Sequence, residues 1–219
     1  MITHLFNAMS SFHHRDPGLV GLLGSLDKRT YYSVIADGIH CHPASINMAS
    51  KTHPDGLILV TDAMCAMGLP PGQHQLGTLA IDVQEDKAVV AGTDTLAGSV
   101  VSMITCVKNL IKFTQCPVVE ALQAASLHPA RLLGISDRKG TLIVGADADF
   151  VLLNDEVMFA CCYRGPSVKG NNGRRVWGGQ ATRSIASWHS PRCTLPTLTM
   201  IIDLTSSPQS HVLMPRPSR

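Results

Sequence analysis

The chain has 219 residues, of which 45% are hydrophobic and 16% charged, with a mean hydropathy of +0.14. These values indicate a globular protein of one large or two small domains, and the net charge of +2 gives no indication of a polyanionic partner. The charge is divided unevenly, because residues 157–219 hold eight of the 18 basic residues but one of the 16 acidic residues, so the composition changes near residue 156.

Cysteine usage and the distribution of apolar residues indicate where the protein works. The seven cysteines are odd in number and scattered, and no CxxC pair occurs among them. This pattern is typical of reduced thiols in the cytoplasm rather than of a disulfide framework. No apolar run approaches the roughly 20 residues of a membrane-spanning helix. We therefore expect a cytoplasmic protein that has no membrane segment.

Residues 17–64 alternate between helical and strand-like patterns. The segment DPGLVGLLGSL predicts a short helix with Pro17 near its first turn, and YYSVIADGIH predicts a strand closed by polar residues. PASINMASKTH predicts a helix that begins at Pro43, and GLILVTDAM predicts a strand buried on both faces. This alternation indicates βα units and a parallel sheet.

The pattern changes beyond the second strand. LAIDVQEDKAVVAG predicts an inserted hairpin at about residues 75–93, and SVVSMITCVKNLIKFT predicts a helix from Ser99 onward. The apolar stripe of that helix is predicted to consist of Val100, Ile104, Val107 and Ile111. A second helix, VVEALQAASLHPARLLG, is predicted to end at Gly134, and KGTLIVGADADFVLLN then predicts two strands joined by a Gly-Ala-Asp turn.

Residues 157–219 show no sustained periodicity. They contain GNNGRR, WGGQ, SSPQS and a Pro/Arg end, and LTMIIDL is the one segment that predicts a strand. Turn formers and unpaired basic residues are typical of disorder or of an irregular extension. The basic residues are spaced irregularly and lack a stacking platform, so we expect no nucleic-acid partner.

Polar side chains follow the apolar segments at the points where they end. His4 lies in THLFNAM, Asp37 and His40 lie in ADGIH, and Asp62 follows GLILVT. Because the carboxyl ends of parallel strands share one rim, we expect these residues to gather there. Two histidines and a carboxylate suit a metal site that activates water, or a general acid–base set. Together they favour a hydrolase.

Each of these residues also has a purely structural interpretation. His4 alone near a chain start is typical of a surface histidine, and Asp37 before Gly38 is typical of a turn. Asp62 is either an N-cap of the segment that follows or a carboxylate that has left bulk water at the end of a buried strand. In the second case it must be paired, hydrogen-bonded or functional.

Five motifs occur along the chain in the order THLFNAM, HRDPGLVG, IADGIH, LVTDAM and TLAGS. In this order they closely resemble the N-acetylglucosamine-6-phosphate deacetylases of the amidohydrolase superfamily, and GTLIVGADADFVLL is similar to that superfamily's return into its small β domain. The resemblance covers about residues 2–155. It implies an α/β fold in which residues 1–134 are the C-terminal part of a TIM-like (β/α)8 barrel with the inserted hairpin, and residues 135–156 begin a small β domain. Residues 157–219 are then an irregular or disordered tail outside the family.

The resemblance also implies roles for individual residues. His4 matches a histidine ligand of the catalytic metal, and Asp62 matches the catalytic carboxylate. Arg15 matches the basic residue that holds the sugar phosphate, including across a dimer interface. The other substrate contacts match Asn7, Ala8, His40, Leu96, Ala97 and Gly98, the last three in a loop that closes on the substrate.

The implied reaction is hydrolysis of the acetamide of N-acetylglucosamine 6-phosphate to glucosamine 6-phosphate and acetate. One divalent metal ion, zinc or alternatively cobalt, iron or manganese, would lower the pKa of bound water towards about 7 and polarise the carbonyl group. Asp62 would accept the proton of the water and return it to the departing amine. The implied partners are a small amino-sugar phosphate and a second copy of the chain in a homodimer.

The resemblance leaves two alternatives to a working deacetylase. A glutamate and another histidine ligand of the family lie upstream of the position of His4, where this sequence has no counterpart, and a catalytic zinc site needs about three protein ligands. The first alternative is therefore a catalytically incomplete fragment, which either pairs with full-length subunits or is a non-functional variant that is degraded. The second is another metal-dependent amidohydrolase, dihydroorotase-like or imidazolonepropionase-like, although the arginine beside NAM argues against it.

Overall fold

A computed structural model of the chain describes residues 1–147, 149–154, 157, 159–163, 167–169 and 175–177. The chain divides into two compact units, Met1–Leu132 and Leu133–Arg219. The predicted division into barrel, return strands and tail at residues 134 and 156 stays a prediction. Among the residues described, no helix combines the length and the apolar character needed to cross a bilayer.

Two parallel strands form the centre of the first unit. β1 (Tyr32–Ile35) pairs with β2 (Leu57–Val60), and all four residues of β1 are buried. The chain start lies beside β1, because Ile2 forms a parallel bridge to the first residue of β1 and the Leu5 amide donates to the Ser33 carbonyl at 2.8 Å. Strands covered on both faces need continuous apolar runs, which is what the sequence supplies here. The predicted parallel pairing of the two strands is confirmed.

Helical segments lie where the sequence predicts them around β1. A 3-10 helix spans Leu19–Gly24, and helix α1 spans Pro43–Thr52. The His42 ring accepts the Ala44 amide at 3.1 Å and so satisfies one free donor at the start of α1. The proline at the first helical position has no amide proton that would need a partner.

Helix α2 (Met103–Thr114) begins after Ser102, whose hydroxyl accepts the Thr105 amide at 3.2 Å. The residues it buries are Cys106, Val107, Leu110 and Thr114. The predicted stripe is therefore wrong in phase, since Val107 is its one member on the buried face and Val100 precedes the helix. The cap residue fixes where the helix begins, and the face that it turns to the core includes Cys106 and Thr114, neither of which the predicted stripe contained.

The single helix predicted after α2 is two helices, α3 (Val118–Ala125) and α4 (Leu127–Leu132). Pro129 explains the break, because it has no N–H to donate to the Ala125 carbonyl and its ring excludes that carbonyl from a regular helix. Gly134 follows with a φ of +68°, in agreement with its predicted place after a helix end.

A four-stranded antiparallel sheet lies between β2 and α2 in the sequence. Its strands, in spatial order, are β3 (Gly72–Leu76), β4 (Leu79–Val83), β5 (Ala88–Val90) and β6 (Leu96–Gly98). The predicted hairpin is formed by β4 and β5, and the structure adds one strand on each side of it. The buried core of this sheet consists of Ala66, Ile81, Val83 and Ala88, with Met64, Leu76, Ala97 and Val100 packed against it.

The described part of the second unit contains two strand pairs. β7 (Phe150–Leu153) pairs antiparallel with β8 (Phe159–Tyr163), and β9 (Ser167–Lys169) pairs antiparallel with β10 (Arg175–Trp177). The irregular tail predicted from residue 157 onward is therefore wrong for β8, β9 and β10. Their apolar stretches are short and alternate with turn formers, so the sequence pattern did not predict these strands. The predicted strand LTMIIDL lies outside the described residues.

The first of the two strands predicted in KGTLIVGADADFVLLN is also wrong. No strand occurs within residues 139–147, all of which are described. The segment is a loop instead, and ion pairs join its two ends. Asp147 Oδ2 lies 3.3 Å from Arg138 Nη1 and 2.9 Å from Lys139 Nζ, and Lys139 also pairs with Asp149.

Buried polar groups join the end of α1 to the segment before β1. The Tyr32 hydroxyl lies 2.8 Å from the Ala49 carbonyl and 3.0 Å from the His53 carbonyl. The His53 ring Nε2 lies 2.9 Å from the Thr30 carbonyl. Burial raises the pKa of Tyr32, so its hydroxyl stays a hydrogen-bond donor.

Gly56 lies where this packing leaves no space for a side chain. A Cβ at Gly56 would lie 2.3 Å from His53 Nε2 and 2.6 Å from the Thr30 carbonyl oxygen. We expect Gly56→Ala to lower the free energy of unfolding by about 3 kcal/mol in urea denaturation. Gly24→Ala is the matched control, because nothing lies within 4 Å of the added methyl, and it should cost less than about 0.5 kcal/mol. Equal stabilities for the two variants would contradict this packing.

His128 links α4 to β2, since its Nδ1 lies 2.6 Å from the Leu57 carbonyl oxygen. Burial lowers the pKa of this ring below its usual 6.5, so the unfolded chain binds a proton here more readily than the folded chain. The folded state should therefore lose stability as the pH falls below about 6.5, which urea denaturation at about pH 7 and pH 5 would measure. His128→Gln should weaken this dependence, whereas His14→Gln, at an exposed histidine, should not. An unchanged dependence in His128→Gln would contradict the assignment.

Candidate active site

Hydrogen bonds to β1 fix the position of His4. Its amide donates to the Ser33 hydroxyl at 2.8 Å, and its ring Nδ1 lies 3.1 Å from the Asn7 carbonyl oxygen. A carbonyl oxygen accepts only, so Nδ1 carries the proton in this contact. The lone pair of Nε2 is then left for a ligand, which is the arrangement usual for metal-binding histidines.

Asn7 connects the chain start to the segment before α1. Its Nδ2 lies 3.3 Å from the Leu5 carbonyl oxygen and 3.3 Å from Cys41 Sγ. Burial raises the pKa of the Cys41 thiol, which stays protonated and donates to the same Leu5 carbonyl at 3.6 Å. Ala8, the next predicted contact, is exposed. Sequence reasoning missed Cys41, because a single apolar cysteine gives no signal of its partner.

Asp37 and His40 form a closely held pair just beyond β1. Asp37 Oδ2 lies 2.5 Å from His40 Nδ1, and the two side chains are 5% and 16% exposed. Asp37 Oδ1 accepts the amides of Ile39 and His40, each at 2.9 Å. The turn predicted for Asp37 is therefore confirmed, and the same carboxylate also holds the ring of a predicted substrate-binding residue.

Asp62 is exposed at the end of β2 and has a φ of +46°. The expectation that its carboxylate has left bulk water is wrong, because the buried run ends before it. The N-cap alternative is also wrong, since a turn rather than a helix follows at residues 65–68. Within the part of the chain that the structure describes, no hydrogen bond or ion pair engages this carboxylate. Its charge is therefore not neutralised by a structural partner.

Backbone strain is concentrated around these residues. Non-glycine residues with positive φ in the described chain include His4 at +34°, Phe6 at +76°, Ala8 at +53° and Asp62 at +46°. Such conformations cost free energy and occur preferentially at functional sites, although aspartate tolerates them better than most residues. The strain at these four residues agrees with the predicted site at this end of the sheet.

Helix α2 satisfies the carbonyl groups where β1 and β2 end. Asn109 Nδ2 donates to the Ala36 carbonyl at 2.8 Å, and Cys106 Sγ lies 3.8 Å from the Val60 carbonyl. Burial raises the pKa of the Cys106 thiol to about 11, so the thiol keeps its proton. Sequence reasoning missed both residues. The available signal was their spacing of three residues, which places both side chains on one face of α2.

Leu96, Ala97 and Gly98, predicted to form a loop that closes on the substrate, form strand β6 instead. The four-stranded sheet needs them as its edge, which the sequence pattern did not reveal. The next residue, Ser99, bridges Ala63 in parallel, and its carbonyl accepts the Met64 amide at 2.9 Å. β6 therefore ends beside the segment that follows Asp62.

Arg15 lies in an exposed turn closed by reciprocal backbone hydrogen bonds between His13 and Asp16. Its amide donates to His13 Nδ1 at 3.3 Å. Across the described residues, no hydrogen bond or ion pair engages its guanidinium group. The structure thus brings His4 into contact with Asn7, and His40 with Asp37, but joins neither Arg15 nor Asp62 to these pairs by a direct contact.

The described residues do not fit a complete metal site. Among them, no group of three or more His, Cys, Asp or Glu side chains is arranged to hold a metal ion. His4 offers one suitable nitrogen, whereas a catalytic zinc ion takes about three protein ligands. The predicted metal therefore has a single candidate ligand here.

Comparison with known proteins places the chain in a family. A family model described as "Amidohydrolase family" matches residues 3–176. The chain belongs to the amidohydrolase family. The match extends beyond residue 156, past the motifs that carry the resemblance in the sequence.

Several relatives and solved structures have the same name, N-acetylglucosamine-6-phosphate deacetylase. The chain is 60% identical to N-acetylglucosamine-6-phosphate deacetylase of Danio rerio over 158 residues, which are 70% of this chain and 39% of the relative. It is 49% identical to the Homo sapiens protein of that name over 186 residues, 83% of this chain and 44% of the relative. One solved structure is N-acetyl-D-glucosamine-6-phosphate deacetylase of Mycobacterium smegmatis, an aspartate-to-alanine mutant in complex with N-acetyl-D-glucosamine-6-phosphate. It matches the present structure with a TM-score of 0.67 at 38% sequence identity, and the match covers 74% of this chain and 43% of that chain. The chain thus spans about two fifths of the length of the relatives it matches.

Proposed function

We propose that this amidohydrolase acts on N-acetylglucosamine 6-phosphate and hydrolyses its acetamide group to release acetate and glucosamine 6-phosphate. The observation that carries the proposal is Asp62, an exposed carboxylate without a structural partner, held in a strained conformation at the end of β2. A group that contributes nothing to the fold in this position is available for proton transfer. The relatives are named N-acetylglucosamine-6-phosphate deacetylases, and this favours N-acetylglucosamine 6-phosphate over the substrates of other amidohydrolases.

Asp62 acts as general base and then as general acid. It accepts a proton from the water whose oxygen forms the new bond to the acetyl carbon. It returns that proton to the sugar nitrogen as the carbon–nitrogen bond breaks, so that acetic acid and a free amine result, and the acid then loses its own proton to the solvent or the amine to become acetate. The relatives include a deacetylase that holds N-acetyl-D-glucosamine-6-phosphate as an aspartate-to-alanine mutant, which agrees with a role for a carboxylate in turnover rather than in binding.

The other site residues bind and orient the sugar phosphate. His40, held by Asp37, contacts the sugar through its free ring nitrogen. Asn7 and Ala8 contact it from the chain start, and strand β6, Leu96–Gly98, borders it. Arg15, whose guanidinium is exposed, binds the phosphate, for which arginine offers two parallel donors.

The finer structural predictions belong to this proposal as well. β1 and β2 are strands of a (β/α)8 barrel, whose active sites lie at the carboxyl ends of the strands. His4 would contribute one ligand to a divalent metal ion, with zinc, cobalt, iron and manganese as the candidates. Because the described residues supply no full ligand set, no step of the reaction is assigned to the metal. A homodimer and a cytoplasmic location remain predictions from the resemblance.

Acetate release from N-acetylglucosamine 6-phosphate by the full chain, assayed with added zinc or cobalt, tests the proposed reaction. We expect Asp62→Asn to lower kcat by about 10²–10⁴-fold, because the amide cannot accept the proton. The variant should keep its thermal unfolding midpoint, since asparagine tolerates the same left-handed backbone conformation. Asp94→Asn, at an exposed aspartate outside the proposed site, is the matched control and should keep full activity.

Undiminished turnover by Asp62→Asn would contradict the role of this residue. No acetate release by the unmutated chain, with the metal supplied, would support the catalytically incomplete alternative for this chain.

A further inference from the structure

We propose that Asp37 is a positioning residue, which keeps a proton on Nδ1 of His40 and thereby presents Nε2 to the substrate. The substrate is the amino-sugar phosphate, and on that point the proposal rests on the proposed function. The state of the ring itself rests on the geometry of the pair alone.

The two oxygens of Asp37 have separate partners. Oδ1 accepts the backbone amides of Ile39 and His40, both at 2.9 Å, and so organises the turn. Oδ2 lies 2.5 Å from His40 Nδ1. An ionised carboxylate has acceptors only, so the hydrogen in this contact belongs to Nδ1, whether the ring is neutral or charged. The carboxylate therefore fixes which ring nitrogen is left over.

The turn that carries this pair is supported from α2. Asn109 donates to the Ala36 carbonyl directly before Asp37, at 2.8 Å. Gly38 has a φ of +80°, and a Cβ there would lie 3.2 Å from Cζ of Phe113. The ring of Phe113 thus packs against Gly38, whose backbone conformation glycine adopts without strain.

Burial makes the pair effective as a support. The Asp37 side chain is 5% exposed, so water competes little for its oxygens, while His40 retains 16% exposure. Among the described residues, none hydrogen-bonds His40 Nε2. In a neutral ring this nitrogen accepts a hydrogen bond, which suits a hydroxyl or amide N–H of an amino sugar.

Asp37→Asn separates the two roles of the carboxylate. The amide oxygen can still accept the backbone amides of the turn, but the NH₂ group now faces Nδ1. The ring must then accept at Nδ1 and carry its proton on Nε2. Asp27→Asn is the matched control, because Asp27 is an exposed carboxylate that pairs with Arg29 away from this turn.

Long-range ¹H–¹⁵N spectra of the full chain, labelled with ¹⁵N-histidine and recorded where the rings are neutral, measure the proton position. His40→Ala identifies the signals of this ring among those of the ten histidines. We expect the proton on Nδ1 in the unmutated chain and in Asp27→Asn, and on Nε2 in Asp37→Asn. A folded Asp37→Asn with the proton still on Nδ1 would overturn the proposal. A proton on Nε2 in the unmutated chain would also overturn it. This second observation needs no mutant, so it tests the proposal even if Asp37→Asn does not fold.

Binding of N-acetylglucosamine 6-phosphate, measured by calorimetry, tests the consequence for the substrate. We expect Asp37→Asn to weaken binding about tenfold and Asp27→Asn to leave it unchanged. Equal affinity of Asp37→Asn and the unmutated chain would overturn the positioning role. Absence of binding by the unmutated chain would instead count against the proposed function, while the ring spectra still decide the state of His40.

Discussion

The ends of two buried parallel strands depend on hydrogen bonds from one helix. A buried carbonyl group without a partner is costly, and the carbonyls of Ala36 and Val60 lie where β1 and β2 leave the sheet. Asn109 and Cys106 of α2 are the side chains placed against them, at 2.8 Å and 3.8 Å. Because these contacts satisfy the carbonyls, the strands can end without continuing the sheet. The chain is then free to adopt the turns that carry the candidate residues.

Two carboxylates follow these strand ends and differ in what surrounds them. Asp37 is buried, and both of its oxygens have partners. Asp62 is exposed and strained, and no described residue neutralises it. A satisfied carboxylate holds structure and orients a neighbour, whereas an unsatisfied one remains available for chemistry. The proposed roles, support for Asp37 and proton transfer for Asp62, follow from this difference in surroundings.

The sequence was sufficient for features governed by local patterns. The apolar runs of β1 and β2, Pro43 at the start of α1 and the polar turn between β4 and β5 each have one physical interpretation, and the structure agrees with it. The sequence was insufficient where a distant contact or a single residue decides. Pro129 divides a helix that periodicity presents as continuous, and the partners of Leu96 in β6 come from another strand of the sheet.

Individual site residues show the same limit. The turn at Asp37 follows from the Asp-Gly pair, but the contact of its second oxygen with His40 follows from the folded turn. The exposure of Asp62 could not be read from the apolar run that precedes it, because that run ends before the rim. Cys106 lies 46 residues and Asn109 lies 73 residues along the chain from the carbonyl that each satisfies, and local periodicity does not describe such separations.

The central claim is that an amino-sugar phosphate binds at the ends of β1 and β2. Backbone ¹H–¹⁵N spectra of the full chain, titrated with N-acetylglucosamine 6-phosphate to about 10 mM, test it most directly, since this exceeds the usual range of KM values. We predict the largest shifts at the amides of residues 4–8, 37–41 and 61–64. Shifts confined to the second unit, or no shifts at that concentration, would contradict the account.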